Sequence, residues 1–143
     1  MFKTVVVGSD DSETARQAVI AAADVAKLAG SRLHIVTAYD PKSVHRDHLP
    51  AELRLSTTTH PADVLLNDLA TIAKDRGLEV VVHAATGDPA AAIIRIAEQE
   101  DADLVIVGNK GMKGKRRILG SVPNSVAHGA PCSVLIVDTE GSA

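Results

Sequence analysis

The segment from Gly108 to Val122 carries the residues best suited to binding an anion. Its glycines let the backbone take positive φ angles and approach a ligand, and their N–H groups can surround a negative charge. Ser121 begins a predicted helix, where free N–H groups and the helix dipole attract phosphate. Five of the chain's 15 basic residues lie between Lys110 and Arg117. We therefore predict a phosphate site here, because a merely solvated basic loop does not account for glycines at both its ends.

The five basic side chains of this segment have two possible roles, which the sequence leaves open. They either touch phosphate directly or surround it with positive potential. They are Lys110, Lys113, Lys115, Arg116 and Arg117.

A second polar cluster, Gly8-Ser9-Asp10-Asp11-Ser12, follows the first predicted strand. A carboxylate at a strand tip, such as Asp10, can accept hydrogen bonds from sugar hydroxyls or an amine. The alternative is a helix-start carboxylate favoured by the helix dipole, which suits Asp11 better than Asp10. Both interpretations stay open for Asp10.

No set of side chains predicts catalysis. His45 and His48 have the spacing of a metal pair, but they lie in an unpatterned segment without Cys or a second ligand cluster. We interpret them as surface residues, and the other histidines as ordinary strand, helix or helix-start residues: His34, His60, His83 and His128. At most we expect slow, incidental hydrolysis of a bound phosphate compound.

The elements that position these residues are an alternation of strands and helices. Five apolar runs predict strands covered on both faces: Thr4–Val7, Leu33–Ala38, Val80–Ala85, Leu104–Val107 and Val134–Val137. Helices are predicted from a Ser12 cap to Gly30, from Pro61 to Gly77, from Asp88-Pro89, and from Ser121–Pro123. This alternation indicates a single α/β domain over residues 1–143, a five-stranded doubly wound parallel sheet with helices on both faces.

Spacing also predicts which helix positions are buried. These are Ala15, Ala18, Val19, Ala22, Val25, Ala26 and Ala29 in the first helix; Leu65, Leu69, Ile72 and Ala73 in the second; Ala90, Ile93, Ile94 and Ala97 in the third. Asp40–His60 lacks periodicity, and its length is typical of either a lid that covers a ligand or a disordered segment. Thr139–Ala143 is predicted to be a frayed tail.

Composition narrows the possible partners and compartment. With one Phe, one Tyr, no Trp and a net charge of −3, the chain lacks the stacking platforms and bulk charge that nucleic acid or anionic lipid require. No apolar run reaches the roughly 18 residues of a membrane span, and acidic residues near Met1 argue against a signal peptide. Cys132 is the single Cys and is predicted to be a buried, inert thiol. Because one Cys cannot form a disulfide within the chain, nothing suggests a secreted protein, and we expect a cytoplasmic one.

These motifs together resemble the universal stress protein family. Its nucleotide signature has Gly, two residues, Gly, nine residues and then Gly-Ser or Gly-Thr; here Gly108, Gly111 and Gly120-Ser121 match, with eight intervening residues instead of nine. The likeness extends to Val5–Ser12, Gly87–Pro89, Ala102–Gly108 and Ala130–Val137.

The resemblance implies a sheet order of 3-2-1-4-5 and a homodimer paired through the last strand, Val134–Val137. It implies an adenine-nucleotide site, with ATP as the first candidate and Mg²⁺ held through the phosphates. Asp10 would contact the adenosine portion, and the backbone of Thr37 and Ala38 would read adenine. Glycine turns and their flanking residues would hold the phosphates. The full predicted set is Ser9, Asp10, Thr37, Ala38, Val107, Gly108, Asn109, Gly111, Gly120, Ser121 and Val122.

Two alternatives share this fold. The shortened loop is compatible with preference for AMP or cyclic AMP over a triphosphate, and a stress dimer that binds no nucleotide is opposed only by the glycine loop. A phosphorelay receiver is rejected, because the third strand ends in Ala85-Thr86 and the fifth in Val137-Asp138, where that class needs Asp and Lys.

Overall fold

Parallel strands form the centre of the molecule in the computed structural model, which describes residues 1–9, 13–39, 61–109 and 119–139. The strands are β1 (Thr4–Ser9), β2 (Arg32–Tyr39), β3 (Val80–Thr86), β4 (Leu104–Asn109) and β5 (Ser133–Asp138). They form one five-stranded sheet in the order β3-β2-β1-β4-β5, and every pairing is parallel. The predicted fold class and strand order are confirmed.

Helices cover both faces of this sheet. Those within the described residues are α1 (Glu13–Ala29), α2 (Pro61–Lys74), α3 (Pro89–Gln99) and α4 (Ser121–Gly129). Val5 and Val7 of β1 pack with α1 and α2, whereas Val6 packs with α3 and α4. Successive side chains of a strand point to opposite faces, so the continuous apolar run of β1 reflects burial on both sides.

The two edge strands depart from the predicted burial. Val81 and Val82 of β3 are each 38% exposed, and Leu135 of β5 is 40% exposed. The prediction that all five strands are covered on both faces is therefore wrong for β3 and β5. An edge strand has a neighbour on one side alone, and apolar composition does not show where in the sheet a strand lies.

Helix ends and faces largely follow the sequence pattern. Every predicted buried helix position is buried or half-buried except Ala29, which is exposed together with Leu28 in the last turn of α1. Gly30 takes a φ of 69° after that turn, as glycine does readily where a helix ends. α2 ends at Lys74 rather than at the predicted Gly77. The predicted cap Ser12 lies outside the described residues.

The segment and tail singled out from the sequence are described only in part. The predicted loop Asp40–His60 lies outside the described residues, as do residues 140–143. Thr139 is not frayed: its side chain is 4% exposed, and its N–H donates to the carbonyl oxygen of Asn109 at 3.1 Å. No helix in the described ranges is long and apolar enough to cross a membrane.

Candidate functional site

A cavity of about 310 Å³ opens at the carboxyl ends of β1, β2 and β4. This is the edge where parallel sheets bind ligands, and the strand order reverses between β1 and β4. The wall is formed by these three strand ends, by the N-terminal parts of α1, α3 and α4, and by the residue that follows β5. The lining residues are Gly8, Ser9, Ala15, Ala18, Ala38, Pro89, Ile93, Val107, Gly108, Asn109, Gly120, Ser121, Val122, Pro123 and Thr139.

Eight of the residues predicted from the sequence line this cavity: Ser9, Ala38, Val107, Gly108, Asn109, Gly120, Ser121 and Val122. Thr37 is 3% exposed within β2 and does not line it. Side chains alternate along β2, so Thr37 shares the face of Ile35, which packs with α1 and α2. Asp10 and Gly111 lie outside the described residues.

Two glycines are required because neighbouring side chains occupy the space of a Cβ. A Cβ on Gly8 would lie 2.2 Å from Cδ1 of Ile93, and one on Gly108 would lie 2.6 Å from Cγ2 of Thr139. Neither contact is possible without movement of packed atoms. Gly8 lies within β1, and its lack of a side chain lets the strand backbone approach α3 closely.

The expected reason for glycine in the phosphate segment, a positive φ, is wrong at the two described positions. Among the described glycines, positive φ angles occur at Gly30, Gly77 and Gly87, and not at Gly108 or Gly120. Gly120 has φ −61° and ψ 163°, an extended conformation that other residues adopt readily. A Cβ there would lie 3.3 Å from Oδ1 of Asn109, which is tight but leaves the backbone unstrained.

The beginning of α4 is attached to the end of β4 by one side chain. Asn109 is 5% exposed, and its Oδ1 accepts a hydrogen bond from the N–H of Gly120 at 2.9 Å. This contact joins two residues across the interval 110–118, which lies outside the described residues. It fixes the first turn of α4 beside the strand end that forms the cavity floor.

The capping position of α4 supplies no side-chain hydrogen bond to the N–H groups of that first turn. Gly120 has no side chain to accept from them, and the first turn contains no acidic residue. Helix geometry leaves the N–H groups of Ser121 and Val122 without intrahelical acceptors. The positive end of the α4 dipole therefore meets the cavity lined by both residues, an arrangement that attracts an anion.

Sequence reasoning missed the helix-borne part of the wall. Ala15, Ala18 and Ile93 were assigned to the core, and they serve both the core and the cavity. Their positions near the starts of α1 and α3 were the available signal, since these helices begin at the carboxyl edge of the sheet. Pro89, Pro123 and Thr139 complete the missed set.

The described wall combines apolar surface with a few uncharged polar groups. Its polar side chains are those of Ser9, Asn109, Ser121 and Thr139, and none of the described lining residues carries a charge. Oγ1 of Thr139 is buried and has no hydrogen-bond partner within the described ranges. Such a wall can hold an apolar ring beside an anion at a helix start.

Cys132 lies away from this wall, in a half-buried position beside the α3 and α4 core. Burial, with a smaller contribution from the Asp103 charge, raises the pKa of its thiol above the ordinary value. The thiol is therefore protonated and weakly nucleophilic at neutral pH, which agrees with the interpretation of an inert residue.

Comparison with known proteins places the chain in a family. The model of the universal stress protein family matches residues 1–138. Universal stress protein Rv1636 of Mycobacterium tuberculosis is 38% identical over 96% of this chain and 97% of its own length. A putative universal stress protein of Staphylococcus aureus is 31% identical over 97% of this chain and 86% of its own length.

Solved structures agree with the sequence relatives. A universal stress protein crystallised in complex with cAMP has a TM-score of 0.75 and 33% identity, covering 96% of this chain and 98% of that one. The cAMP is the ligand of that related protein. Together with the matched family model and the shared sheet order, these likenesses show that the chain belongs to the universal stress protein family.

Proposed function

We propose that this chain binds an adenine nucleotide in the cavity at the carboxyl end of the sheet and acts as a regulator of a stress response. The single observation that carries the proposal is the open N-terminus of α4, held against β4 by the hydrogen bond from Gly120 to Asn109. The related protein crystallised with cAMP supports an adenine nucleotide as the ligand class. The cytoplasm is the proposed compartment, on the evidence of a single Cys.

The proposed orientation follows from where each part of the wall lies. The phosphate lies at the N–H groups of Ser121 and Val122, beside Gly108. The adenine ring lies towards Ala38 at the end of β2, against apolar wall residues such as Val107. The ribose lies between them, near Ser9. Asp10, the next residue in the chain, is the proposed partner of the ribose. Thr37 contributes through its backbone, because its side chain points to the other face of the sheet.

Two nucleotide classes place different demands on the site. The described wall supplies the N-terminus of α4, which has no side-chain cap, and no charged side chain, and this is enough for one phosphate. ATP needs further cationic groups, and the basic residues between Lys110 and Arg117, outside the described residues, are the source in the chain. Mg²⁺ would then be held through the phosphates, since no described lining residue is a carboxylate.

AMP and cyclic AMP are therefore the second candidate, favoured by the single helix N-terminus and by the cAMP complex of the related protein. The role that we propose is binding rather than turnover. Among the described lining residues there is no imidazole, carboxylate or thiol that could transfer a proton.

The test begins with the ligand that copurifies. The protein is denatured, released nucleotides are identified by mass spectrometry, and ATP, AMP and cyclic AMP are then titrated separately into the emptied protein at physiological salt. We expect saturable binding of at least one of the three. No binding of any would contradict the proposal and leave a stress-protein fold that acts through its surface.

One matched pair of variants locates the binding. Gly120→Val places two methyl groups at the start of α4, where the phosphate is proposed to lie, and should abolish binding. Ala127→Val introduces the same side chain on the exposed side of α4 and should leave affinity unchanged. Circular dichroism establishes that both variants are folded. Equal affinity in the folded Gly120→Val variant would show that the nucleotide binds elsewhere.

We also propose a homodimer formed through β5. This strand is at one edge of the sheet, and Leu135 within Val134–Val137 is 40% exposed. An exposed apolar edge strand is suited to pairing with a second copy. Sedimentation velocity should show a dimer for the wild type and a monomer for Leu135→Lys. A wild-type monomer at micromolar concentration would refute this part of the proposal.

A further inference from the structure

Two histidines and one glutamate meet on the α3 side of the sheet. His34 is on β2, His83 is on the neighbouring edge strand β3, and Glu100 is the residue that ends α3. One nitrogen or oxygen atom from each of these side chains lies within 4.8 Å of the others. Residues from three elements thus converge on one point outside the nucleotide cavity.

The strand register fixes the two imidazole rings next to each other. His34 is paired with Val81 and His83 with Val36, so the two histidines are two positions apart on the same face. Their rings are stacked, with centroids 5.2 Å apart and an interplanar angle of 21°. Nδ1 of His34 lies 2.9 Å from Nε2 of His83. Because both rings project from adjacent strands, their donor atoms are held in place by the sheet.

Both rings are suited to donate a lone pair. Burial lowers the pKa of His34 and of His83, and in both cases the Glu100 charge opposes this shift only in part. The neutral imidazole is the form that binds metal ions. The 2.9 Å contact itself requires one neutral ring, because one of the two nitrogens must accept.

Glu100 is placed to complete a ligand set rather than a hydrogen-bonded pair. Its Oε2 lies 4.0 Å from Nε2 of His34, beyond hydrogen-bond distance, and its side chain is 37% exposed. Tetrahedral zinc ligands lie roughly 2.0–2.2 Å from the ion and hence about 3.3 Å from one another. The separations of 2.9 Å and 4.0 Å bracket that spacing. They involve different nitrogens of His34, and one ion can use only one of them, so either His83 or Glu100 must shift to complete the ligand set.

We propose that His34, His83 and Glu100 bind one divalent cation of the zinc class, with a water molecule in the fourth position. Two imidazole nitrogens and one carboxylate oxygen suit zinc or cobalt, whereas magnesium and calcium prefer oxygen ligands. The site does not rest on nucleotide binding. Along β2, His34 is four residues before Ala38 of the cavity wall, a distance of roughly 13 Å at about 3.3 Å per residue.

Metal binding here would stabilise the β3 edge of the sheet. The ion would join β3 and the end of α3 to β2, and β3 is otherwise paired on one side alone. An ion that binds the folded chain in preference to the unfolded one raises thermal stability. This gives the proposal a readout that does not involve nucleotide.

The test uses the full chain without an affinity tag, stripped of metal with a chelator and then dialysed. Zn²⁺ is titrated by calorimetry, and Co²⁺ is followed by its visible absorption, which reports tetrahedral coordination. We expect one ion per chain, the absorption of tetrahedral Co²⁺, and a higher thermal midpoint with Zn²⁺. Absence of saturable Zn²⁺ binding would overturn the proposal.

Variants assign the ligands. His83→Gln and Glu100→Gln change side chains that are only half-buried, and we expect affinity losses on the order of 100-fold and tenfold. His128→Gln, an exposed position on α4, and the double variant His45→Gln/His48→Gln should bind as the wild type does. Unchanged affinity in Glu100→Gln and His83→Gln, or loss of binding in the double variant, would assign the ion to another place. If His83→Gln does not fold, Glu100→Gln alone decides.

Discussion

Two helices of this molecule begin beside the same cavity and treat their first N–H groups in opposite ways. In α3, the carboxylate of Asp88 accepts a hydrogen bond from the N–H of Ala91 at 2.9 Å. In α4, Gly120 occupies the same capping position and has no side chain to accept one, and Pro123, in the place of Ala91, has no N–H to donate. Both Pro89 of α3 and Ser121 of α4 line the cavity. The carboxylate of Asp88 thus satisfies one N–H of α3, whereas Gly120 offers no such group to the first turn of α4.

Under our proposal, this uncapped start of α4 is where the phosphate binds. An Asp, Asn or Ser at a capping position is more stabilising than Gly by a few tenths of a kcal/mol. The backbone of Gly120, with φ −61° and ψ 163°, would accept any of them. A side chain at Gly120 would be tight against Oδ1 of Asn109 but needs no backbone change, so a substitution there can test the open helix start.

The largest effect is expected when α4 is closed in the manner of α3. In Gly120→Asp, the new carboxylate would accept from the N–H of Val122, since Pro123 has none, and would repel phosphate, so nucleotide affinity should fall by about 100-fold or more. The free energy of unfolding should stay the same or rise by a few tenths of a kcal/mol. Calorimetric titration and urea unfolding measure the two quantities. Wild-type affinity in this variant would show that α4 does not hold the phosphate.

The converse change opens α3. Asp88→Ala removes the cap of that helix and should lower the free energy of unfolding by about 1 kcal/mol, within the usual range for such caps. The thermal midpoint should fall by roughly 2–8 °C for a chain of this size. Nucleotide affinity should change little, because the phosphate is proposed to lie at α4. A larger loss of affinity than of stability would make α3 part of the binding site.

The smallest effect concerns a third set of backbone donors, at the other end of the sheet. Asp103 accepts from the N–H groups of Thr4 and Lys3 at 2.9 and 2.8 Å. These bonds, chiefly that from Thr4, hold the pKa of Asp103 below its ordinary value of 3.8. The stabilisation from this carboxylate is therefore complete above pH 3.8 and is lost as the pH falls through the lower, folded-state value.

Asp103→Asn keeps an acceptor oxygen and removes the titration. We expect the variant to be less stable than the wild type at neutral pH, with the difference shrinking as the pH falls below 3.8. Urea unfolding at neutral pH and at about pH 3 measures it. A difference that does not change with pH would show that the charge of Asp103 contributes nothing to stability.

Much of the fold could be predicted because the central strands carry a strong signal. Continuous β-branched runs, such as that of β1, indicate burial on both faces, and the glycines and prolines between elements mark the helix ends. The edge strands were misjudged because Val81 and Leu135 belong to equally apolar runs. Sheet position depends on pairing, which composition does not encode. The strand order itself came from family resemblance.

The site residues that directly follow strand ends could be predicted from the sequence. Those brought together by strand register or contributed by helix faces could not. Asn109 and Gly120 were found because they flank the glycine segment. The hydrogen bond between them was not foreseen, since nothing in the sequence shows that α4 returns to β4. His34 and His83 were missed as a pair for the same reason: pairing of β2 with β3 brings together residues that are 49 positions apart.

The most direct test of the central claim observes the two helix starts at once. Amide spectra of the isotopically labelled protein, recorded as cyclic AMP is added, report hydrogen bonding at individual N–H groups. The account predicts large shifts for the amides of Ser121 and Val122 at the open start of α4, with that of Ala91 at the capped start of α3 nearly unchanged. Saturable binding that leaves Ser121 and Val122 unshifted would contradict it.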